Sequence, residues 1–413
     1  MLDKVPVELA TEIFCLTLPD IQSDPHPSQS PLSLAHVCQD WRLLAFSTPQ
    51  LWSNLTLSDA HVHKPDTVLI DQWLGRANLV ALRLCVSHSF FKAIMRLISR
   101  NSTKWKTLEF HLSIGTTLVF PEFAEIKPIG GFPSLRKLVI ESNPRYFHPS
   151  EGTVVDGFLN APLLEELHFN SFPILLNRLS LPWTQLTRFT STNGTMGVSD
   201  ALRVLSLTPK LLHARLSTSI TSSSATAIPP HLHLKSLSFQ SRHVSLDVLR
   251  SLTLPALEVL DVGAVLNNDT QTLLSFLARS HCKLTTLSAK TLLRPFIPCL
   301  RAIPTLSSVR LTLTDRTDKE DVSVFLQRLG DDTSFLPNLE SFTIVGDGAL
   351  IFPYEALAEA LRARSISESF VQLRQVTLAW SQQPFFYPDW RIEPQLIATG
   401  IPVLFVQADT LET

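Results

Sequence analysis

Closely spaced histidines and acids are the residues of this sequence that could bind a metal ion. Two His-x-His pairs, at 61–63 and 231–233, each offer two imidazoles. Zinc sites usually add cysteine or carboxylate ligands at short spacing, and neither pair has such neighbours. The acidic stretch 315–321 lacks the glycine and the final glutamate of a calcium-binding loop. We therefore predict no metal site and interpret these residues as loop and helix-cap residues.

Motifs of common catalytic centres are also absent from the sequence. It contains no GxSxG nucleophile turn, no GxxxxGK[ST] phosphate loop, no GxGxxG dinucleotide motif and no HExxH zinc motif. His36 and Cys38 are two positions apart, but they fall in a predicted helix, where core packing explains the cysteine better than metal binding does. We therefore expect no catalytic residue and no cofactor.

The composition predicts a protein with a large amount of buried apolar surface. Its 413 residues are 45% hydrophobic and 17% charged, which suits several domains or one repeat array. The net charge of −2 argues against nucleic acid or an anionic membrane as partner. Five scattered cysteines without a CxxC pair predict buried thiols in a reducing compartment. Because no apolar stretch reaches about 18 residues, we expect no membrane span and a cytoplasmic and/or nuclear protein.

Residues 1–57 predict two short helices with apolar faces. In VPVELATEIFCLTL, Leu9, Ile13 and Leu16 recur at helical spacing, and four prolines in residues 19–31 rule out a helix there. A second periodic run, SLAHVCQDWRLLAFS, predicts another helix, and TPQLW predicts a turn. A segment of this size can bury only a small core by itself. Its tryptophans and leucines therefore indicate a surface that contacts a partner.

This segment resembles the F-box in the form found in basidiomycete proteins. The order VPVELATEIF, a Pro/Ser-rich insert, SLAHVCQDWRLLA and TPQLW carries the resemblance, with Val5 where the family usually has leucine. The resemblance implies docking on a Skp-type adaptor through a set of mostly apolar residues. They are Val5, Pro6, Leu9, Ile13, Leu34, Val37, Cys38, Trp41, Leu44 and Trp52. The alternative is that Trp41 and Trp52 only close a helical cap on the rest of the chain.

Beyond residue 58 the pattern L-x-x-L-x-L recurs about twelve times. Its first apolar anchors lie mostly 22–30 residues apart, close to the leucine-rich-repeat period of about 20–29 residues. The anchors are Leu79, Trp105, Leu135, Leu164, Leu186, Leu211, Leu234, Leu257, Leu284, Leu306, Leu339 and Leu373. The alternating L-x-L predicts a short strand with one buried face. Segments such as KEDVSVFLQRL, DTQTLLSFLARS and YEALAEALRARS predict helices between strands.

The repeat region resembles irregular F-box leucine-rich-repeat proteins. The resemblance implies an α/β fold in which a helical F-box precedes a curved solenoid over 58–413, with a parallel concave sheet and helices or loops on the convex side. The tail PQLIATGIPVLFV predicts a last helix and strand within a cap at about 380–413. The aromatic run 384–390 is interpreted as part of that cap, or else as a binding segment.

Residues that alternate with the buried leucines should point away from the core and face a target protein. These candidates are Lys137, Val139, Glu166, His168, Val259, Asp261, Ser308, Arg310, Ser341, Thr343, Gln375 and Thr377.

One stretch, 76–106, contains seven basic residues and no acidic residue. Lys92, Arg96 and Arg100 are four apart and would form one stripe on a helix. Two interpretations stay open, a solvated helix face or a contact for an acidic partner, phosphate or nucleic acid.

The resemblance implies a non-catalytic substrate receptor of a Skp–cullin–F-box ubiquitin ligase. Its partners would be the Skp-type adaptor, through it a cullin, and an unknown target protein. We expect no membrane partner, and the net charge argues against nucleic acid. The alternative is a leucine-rich-repeat scaffold without ligase function, whose F-box-like cap binds the adaptor weakly or not at all.

Overall fold

The computed structural model describes residues 5–18, 30–58, 67–86, 88–112, 123–142, 154–170, 179–192, 196–217, 228–239, 246–265, 269–314, 316–346, 352–380 and 392–408. The chain divides into two compact units, Met1–Thr195 and Met196–Thr413. Each unit is an α/β structure with parallel strands, so the coarse fold class is confirmed.

The first unit contains five α-helices and six strands among its described residues. Its helices are α1 (Val7–Leu16), α2 (Pro31–Ala35), α3 (Gln39–Ser47), α4 (Thr67–Arg76) and α5 (His88–Arg100). Its strands are β1 (Asn54–Ser58), β2 (Val80–Val86), β3 (Trp105–Leu112), β4 (Lys137–Ser142), β5 (Glu166–Asn170) and β6 (Arg188–Thr192). Each strand pairs in parallel with the next in the sequence.

The second unit contains seven helices and eight strands among its described residues. Its helices are α6 (Val198–Leu207), α7 (Asp247–Arg250), α8 (Asp269–Ser280), α9 (Leu293–Arg301), α10 (Lys319–Asp331), α11 (Tyr354–Ile366) and α12 (Glu393–Ile397). Its strands are β7 (His213–Leu216), β8 (Ser236–Phe239), β9 (Val259–Ala264), β10 (Thr286–Thr291), β11 (Ser308–Leu313), β12 (Ser341–Gly346), β13 (Gln375–Trp380) and β14 (Val403–Gln407). Here too every strand pairs in parallel with the following one.

The repeat pattern predicts the strands well, because each of the twelve anchors lies within two residues of the start of a strand. Eleven of these anchors are buried. Leu79 is the exception at 40% exposure, and its neighbour Val80 is fully buried instead. The register between β2 and β3 shifts just after Val80, which pairs with Trp105. With this shift Val80 is buried in place of Leu79. The spacing of leucines in the sequence alone does not reveal such a shift.

The first strand, β1, lies inside the segment that the sequence assigned to the N-terminal module. Trp52, Leu55 and Leu57 have the spacing of the repeat pattern, and Leu55 pairs with Leu82 of β2. Trp52 Nε1 donates to the carbonyl of Ala45, seven residues earlier, at 2.8 Å. Trp105 makes the same bond to a carbonyl seven residues earlier, at 2.9 Å. The parallel sheet therefore begins before residue 58, where the prediction placed the boundary.

Helices cover one face of the strands in the second unit. In α10, Asp318 caps the helix by accepting from the backbone N–H of Asp321, as predicted. The buried residue Phe325 of this helix stacks on Phe342 of β12 at 5.4 Å between ring centroids. Because Phe342 alternates with Ser341 and Thr343, those two residues point to the opposite face.

The second predicted N-terminal helix is interrupted in the structure. It divides into α2 and α3 at Cys38, whose backbone is extended with φ −158° and ψ 176°. Residues after the break are tied back to α2, because Arg42 Nε donates to the carbonyl of Ala35 at 2.9 Å. Hydrophobic periodicity continues across the break, so the spacing of apolar residues does not reveal it.

Arginine side chains link successive repeats of the second unit. Arg364 of α11 is 3% exposed and donates to the carbonyls of Leu329 and Leu336, at 3.3 and 2.8 Å. Its guanidinium lies 4.1 Å from the centroid of Phe370. Burial lowers the pKa of Arg364 to about 10, so it remains charged near neutral pH. Arg279 of α8 donates to the carbonyl of Leu252 in a related way, at 3.0 Å.

Replacing Arg364 with methionine should therefore destabilise the second unit. The carbonyls of Leu329 and Leu336 would lose a charged donor, and Leu336 already has a backbone φ of 51°. We expect the free energy of unfolding in urea to fall by about 2–4 kcal/mol. Arg362→Met on the exposed side of the same helix is the matched control, with a change of about 0.5 kcal/mol or less. Equal losses in the two variants would contradict this role.

Candidate interaction surfaces

Helix α1 has its large apolar residues on the outside. Leu9 is 52% exposed and Ile13 is 54% exposed, whereas Ala10 and Phe14 are each 2% exposed. The sequence grouped Leu9, Ile13 and Leu16 as one apolar helix face, and the structure places that face toward solvent. Phe14 is the inward residue, with its ring 4.7 Å from that of Trp41.

The next two helices and the turn between them share this inverted arrangement. Val37 and Leu43 are 61% and 62% exposed, while the inward residues Ala35 and Ala45 are 3% and 0% exposed. The exposed large apolar residues of α1 to α3 and the turn between them are named the N-terminal apolar set. The set consists of Val7, Leu9, Ile13, Leu16, Leu32, Val37, Leu43 and Phe46.

The predicted adaptor-binding residues differ in their accessibility. Exposed members are Pro6, Leu9, Ile13, Val37 and Cys38, and partly buried members are Val5, Leu34, Trp41 and Leu44. Trp52 is only 1% exposed, so its inclusion was wrong for a direct contact.

Trp52 is buried because it joins the helices to the first strand of the sheet. Its ring packs edge-on against Trp73 of α4 at 4.8 Å, and Arg76 of the same helix lies 4.9 Å from its centroid. Trp73 Nε1 also donates to the backbone carbonyl of Trp52 at 2.8 Å. The alternative interpretation, in which the tryptophans only close a helical cap on the rest of the chain, therefore fits Trp52. It does not fit Leu9 and Ile13, which are exposed.

The cysteines only partly follow the prediction of buried thiols. Cys299 is fully buried, and burial raises the pKa of its thiol to about 12. Cys38 is exposed at the break between α2 and α3, so core packing does not explain it. Within the described parts of the chain, no three histidines, cysteines or acids form a metal-binding group.

The strand residues predicted to face outward do so at ten of twelve positions. These ten are at least partly exposed, while the leucines and phenylalanines between them are buried. Val139 and Thr377 are the two errors, at 3% and 4% exposure. Val139 lies between Glu109 and His168 on the neighbouring strands, and Gln375 Nε2 donates to Thr377 Oγ1 at 3.0 Å. Long neighbouring side chains thus cover both residues.

An ionic network that the sequence did not suggest crosses β3 and β4 of the first unit. His111 Nδ1 lies 2.6 Å from the carboxylate of Glu141, and His111 Nε2 lies 3.6 Å from that of Glu109. Lys137 Nζ donates to the other oxygen of Glu109 at 2.9 Å. The alternation of Glu109 and His111 in WKTLEFHL was the available signal, but their partners come from the next strand.

Burial and pairing act in opposite directions on this network. Burial alone would lower the pKa of His111, but its pairing with Glu109 and Glu141 outweighs burial and raises the pKa to about 9. Burial alone would raise the pKa of Glu109, but its bonds with His111 and Lys137 lower the pKa to about 2. Glu109 and His111 are therefore both held charged across the neutral range.

The basic stretch 76–106 does not form one surface. Arg76 lies over the rings of Phe46 and Trp52, and Arg100 pairs with Asp71 at 3.0 Å. Lys104 donates to the carbonyl of Ala77 at 2.8 Å. Arg96 is exposed on α5, and the side chain of Lys92 lies outside the described residues. Much of the stretch thus has structural contacts, which favours the solvated-face interpretation.

Two other predicted features lie wholly outside the described residues. They are the histidine pair 61–63 and the aromatic run 384–390. Of the second pair, His231 is buried, and its Nε2 lies 2.8 Å from the carbonyl of Thr208. His231 lies outside the helices and strands, so the prediction of a loop histidine is confirmed, although its side chain is buried against a backbone carbonyl.

Trp52→Phe should lower the stability of the first unit. The substitution keeps an aromatic ring but leaves the carbonyl of Ala45 without the indole N–H, which costs about 1–3 kcal/mol. Urea unfolding followed by far-UV circular dichroism measures the change. Trp41→Phe is the control at a partly exposed ring. A larger loss for Trp41→Phe than for Trp52→Phe would contradict the structural role of Trp52.

His111→Gln should change how stability depends on pH. The pKa of His111 is raised from 6.5 to about 9, so its pairing stabilises the fold fully below pH 6.5 and loses this effect as the pH rises through 9. We expect the wild type to lose about 1–3 kcal/mol relative to the variant across that interval. Parallel stability curves for the two proteins would show that the network does not act in this way.

Comparison with known proteins gives no family for this chain. No protein-family model and no curated protein matches it. In the part of the chain that the structure describes, no helix has both the length and the apolar character needed to cross a bilayer. What the chain binds must therefore be inferred from its own surfaces.

Proposed function

We propose that the chain is the substrate-recognition subunit of a Skp–cullin–F-box ubiquitin ligase. In this proposal α1 to α3 form the F-box and dock on a Skp-type adaptor, which connects the chain to a cullin. The strands and helices that follow are irregular leucine-rich repeats of a curved solenoid, and their outward strand face binds a target protein. The chain performs no bond chemistry and acts by raising the local concentration of the target near the conjugating enzyme.

The inverted packing of α1 to α3 is the observation that carries this proposal. Alanines occupy inward positions at residues 10, 35 and 45, while leucine, isoleucine and valine side chains remain exposed. A helical cap that served only to seal the repeats would bury its largest apolar residues, because each such burial contributes about 1.5–3 kcal/mol. Exposed apolar residues on a small helical module therefore support a partner that covers them.

Trp52 supports a rigid connection between the docking module and the repeats. It contacts α3 through the carbonyl of Ala45 and α4 through Trp73 and Arg76. A target held by the strands of the first unit would then keep a fixed distance from the adaptor, which favours repeated transfer to the same lysines.

The proposal is tested by co-purification of the full chain with a Skp-type adaptor. Leu9→Asp/Ile13→Asp should reduce capture by about a hundredfold or more, since two charges would be buried in an apolar contact. Both residues are more than half exposed, so the variant should fold like the wild type. Circular dichroism and the unfolding midpoint check this.

Ile129→Asp/Ile397→Asp is the matched control, because both isoleucines are exposed and lie outside α1 to α3. The control should capture adaptor like the wild type. Absence of capture by the wild type would overturn the ligase function and leave the scaffold alternative. Equal loss in the two double variants would show that the contact is non-specific.

A further inference from the structure

Acidic residues lie beside the exposed apolar residues of α1. At about 3.6 residues per turn, Leu9, Ile13 and Leu16 fall within an arc of about 60° around the helix axis and form one stripe. Glu8 and Glu12 are one turn apart and follow the stripe along one side. Both glutamates are exposed, like the three apolar residues. The apolar stripe of α1 therefore has an acidic edge.

The same arrangement occurs on α3. Asp40 is exposed and lies three residues before Leu43, which is 62% exposed, so the two are neighbours on one side of the helix. The base of this helix, Arg42, is directed toward α2, because its Nε donates to the carbonyl of Ala35 at 2.9 Å. The helices α1 to α3 thus carry three carboxylates and one guanidinium, which is already bound to the backbone.

The three carboxylates of α1 and α3 have no ion-pair partner in the part of the chain that the structure describes. Acids that precede the strands differ, as Glu258 pairs with Lys235 of the neighbouring repeat at 3.1 Å. The dipole of α1 favours Glu8 in its first turn, but it does not favour Glu12. Like charges one turn apart also weaken a helix. Contacts within the described chain therefore do not explain the acidic edge.

The acidic edge restricts what can cover the apolar residues beside it. A second copy of the chain that docked through the same face would bring acids close to acids. A membrane surface with anionic lipids attracts basic residues and repels acidic ones. A protein surface that carries lysine or arginine beside an apolar groove complements both the stripe and its edge.

We propose that the partner of α1 to α3 presents basic residues to Glu8, Glu12 and Asp40 at the rim of its apolar contact. This inference rests on the proposed function, because the partner in question is the Skp-type adaptor. The apolar residues supply most of the affinity, whereas the ion pairs at the rim speed association and fix the orientation of α1. Docking therefore depends on ionic strength, which a purely apolar contact does not.

The kinetics of binding to an immobilised, purified Skp-type adaptor test this inference. Glu8→Gln/Glu12→Gln in the full chain should lower the association rate constant about threefold to tenfold at an ionic strength of about 0.05 M. At about 0.5 M the wild type and the variant should associate at similar rates, because salt screens the rim charges. The substitutions remove a repulsion between like charges, so α1 should stay folded, which circular dichroism checks.

Glu355→Gln/Glu359→Gln is the matched control. These two glutamates of α11 are exposed, have the same spacing and also begin in the first turn of their helix. The control removes the same charge from the chain and should associate with the adaptor like the wild type. Equal slowing in both variants would overturn the inference, because only net charge would then matter. A wild-type association rate that does not fall between about 0.05 and 0.5 M salt would overturn it as well.

Failure of this inference is distinguishable from failure of the ligase proposal. An adaptor that binds the wild type and Glu8→Gln/Glu12→Gln at equal rates would overturn the basic rim and leave adaptor docking intact. An adaptor that does not bind the wild type would overturn both. Light scattering of the chain alone tests a second copy as the occupant, since a dimer that Leu9→Asp/Ile13→Asp dissociates would overturn the choice of a basic partner.

Discussion

Burial of one face of every strand is the constraint on which the rest of this structure depends. A parallel strand can pair with the next only through a crossing connection, and that connection must cover apolar side chains to be stable. Leu138, Leu260 and Val309 lie on the covered face and are 0–1% exposed. Their outward neighbours are free to vary in chemistry, which is why charged and hydroxyl residues can occupy the opposite face without loss of the fold.

Covering one face creates a second requirement, because the connections carry backbone carbonyls away from water. A buried carbonyl without a donor costs about 1–3 kcal/mol. The chain meets this need with long side chains from the neighbouring repeat, such as Arg364 to Leu336, His231 to Thr208 and Gln185 to Ala161. These donors explain how repeats of unequal length can still stack.

The sequence predicts the strands because leucine spacing and strand burial have the same physical cause. It predicts individual residues less well where neighbours decide the outcome. Val139 is covered by Glu109 and His168, and Val80 replaces Leu79 through a register shift with β3. Trp52 fits both the TPQLW motif and, through its spacing from Leu55, the repeat pattern, and its burial favours the second. The network around His111 was missed because Glu141 comes from another strand.

The N-terminal helices and the strands place the same types of apolar residue in opposite environments. A strand buries leucine to stabilise its own repeat, whereas α1 leaves Leu9 and Ile13 exposed and packs through Ala10 and Phe14. Small inward residues leave less buried area, so the module must gain stability elsewhere. Trp52 supplies it by contacting Trp73 and Arg76 of the next helix. The junction with the repeats thus contributes much of the stability of the N-terminal helices, and the large apolar residues of α1 remain exposed.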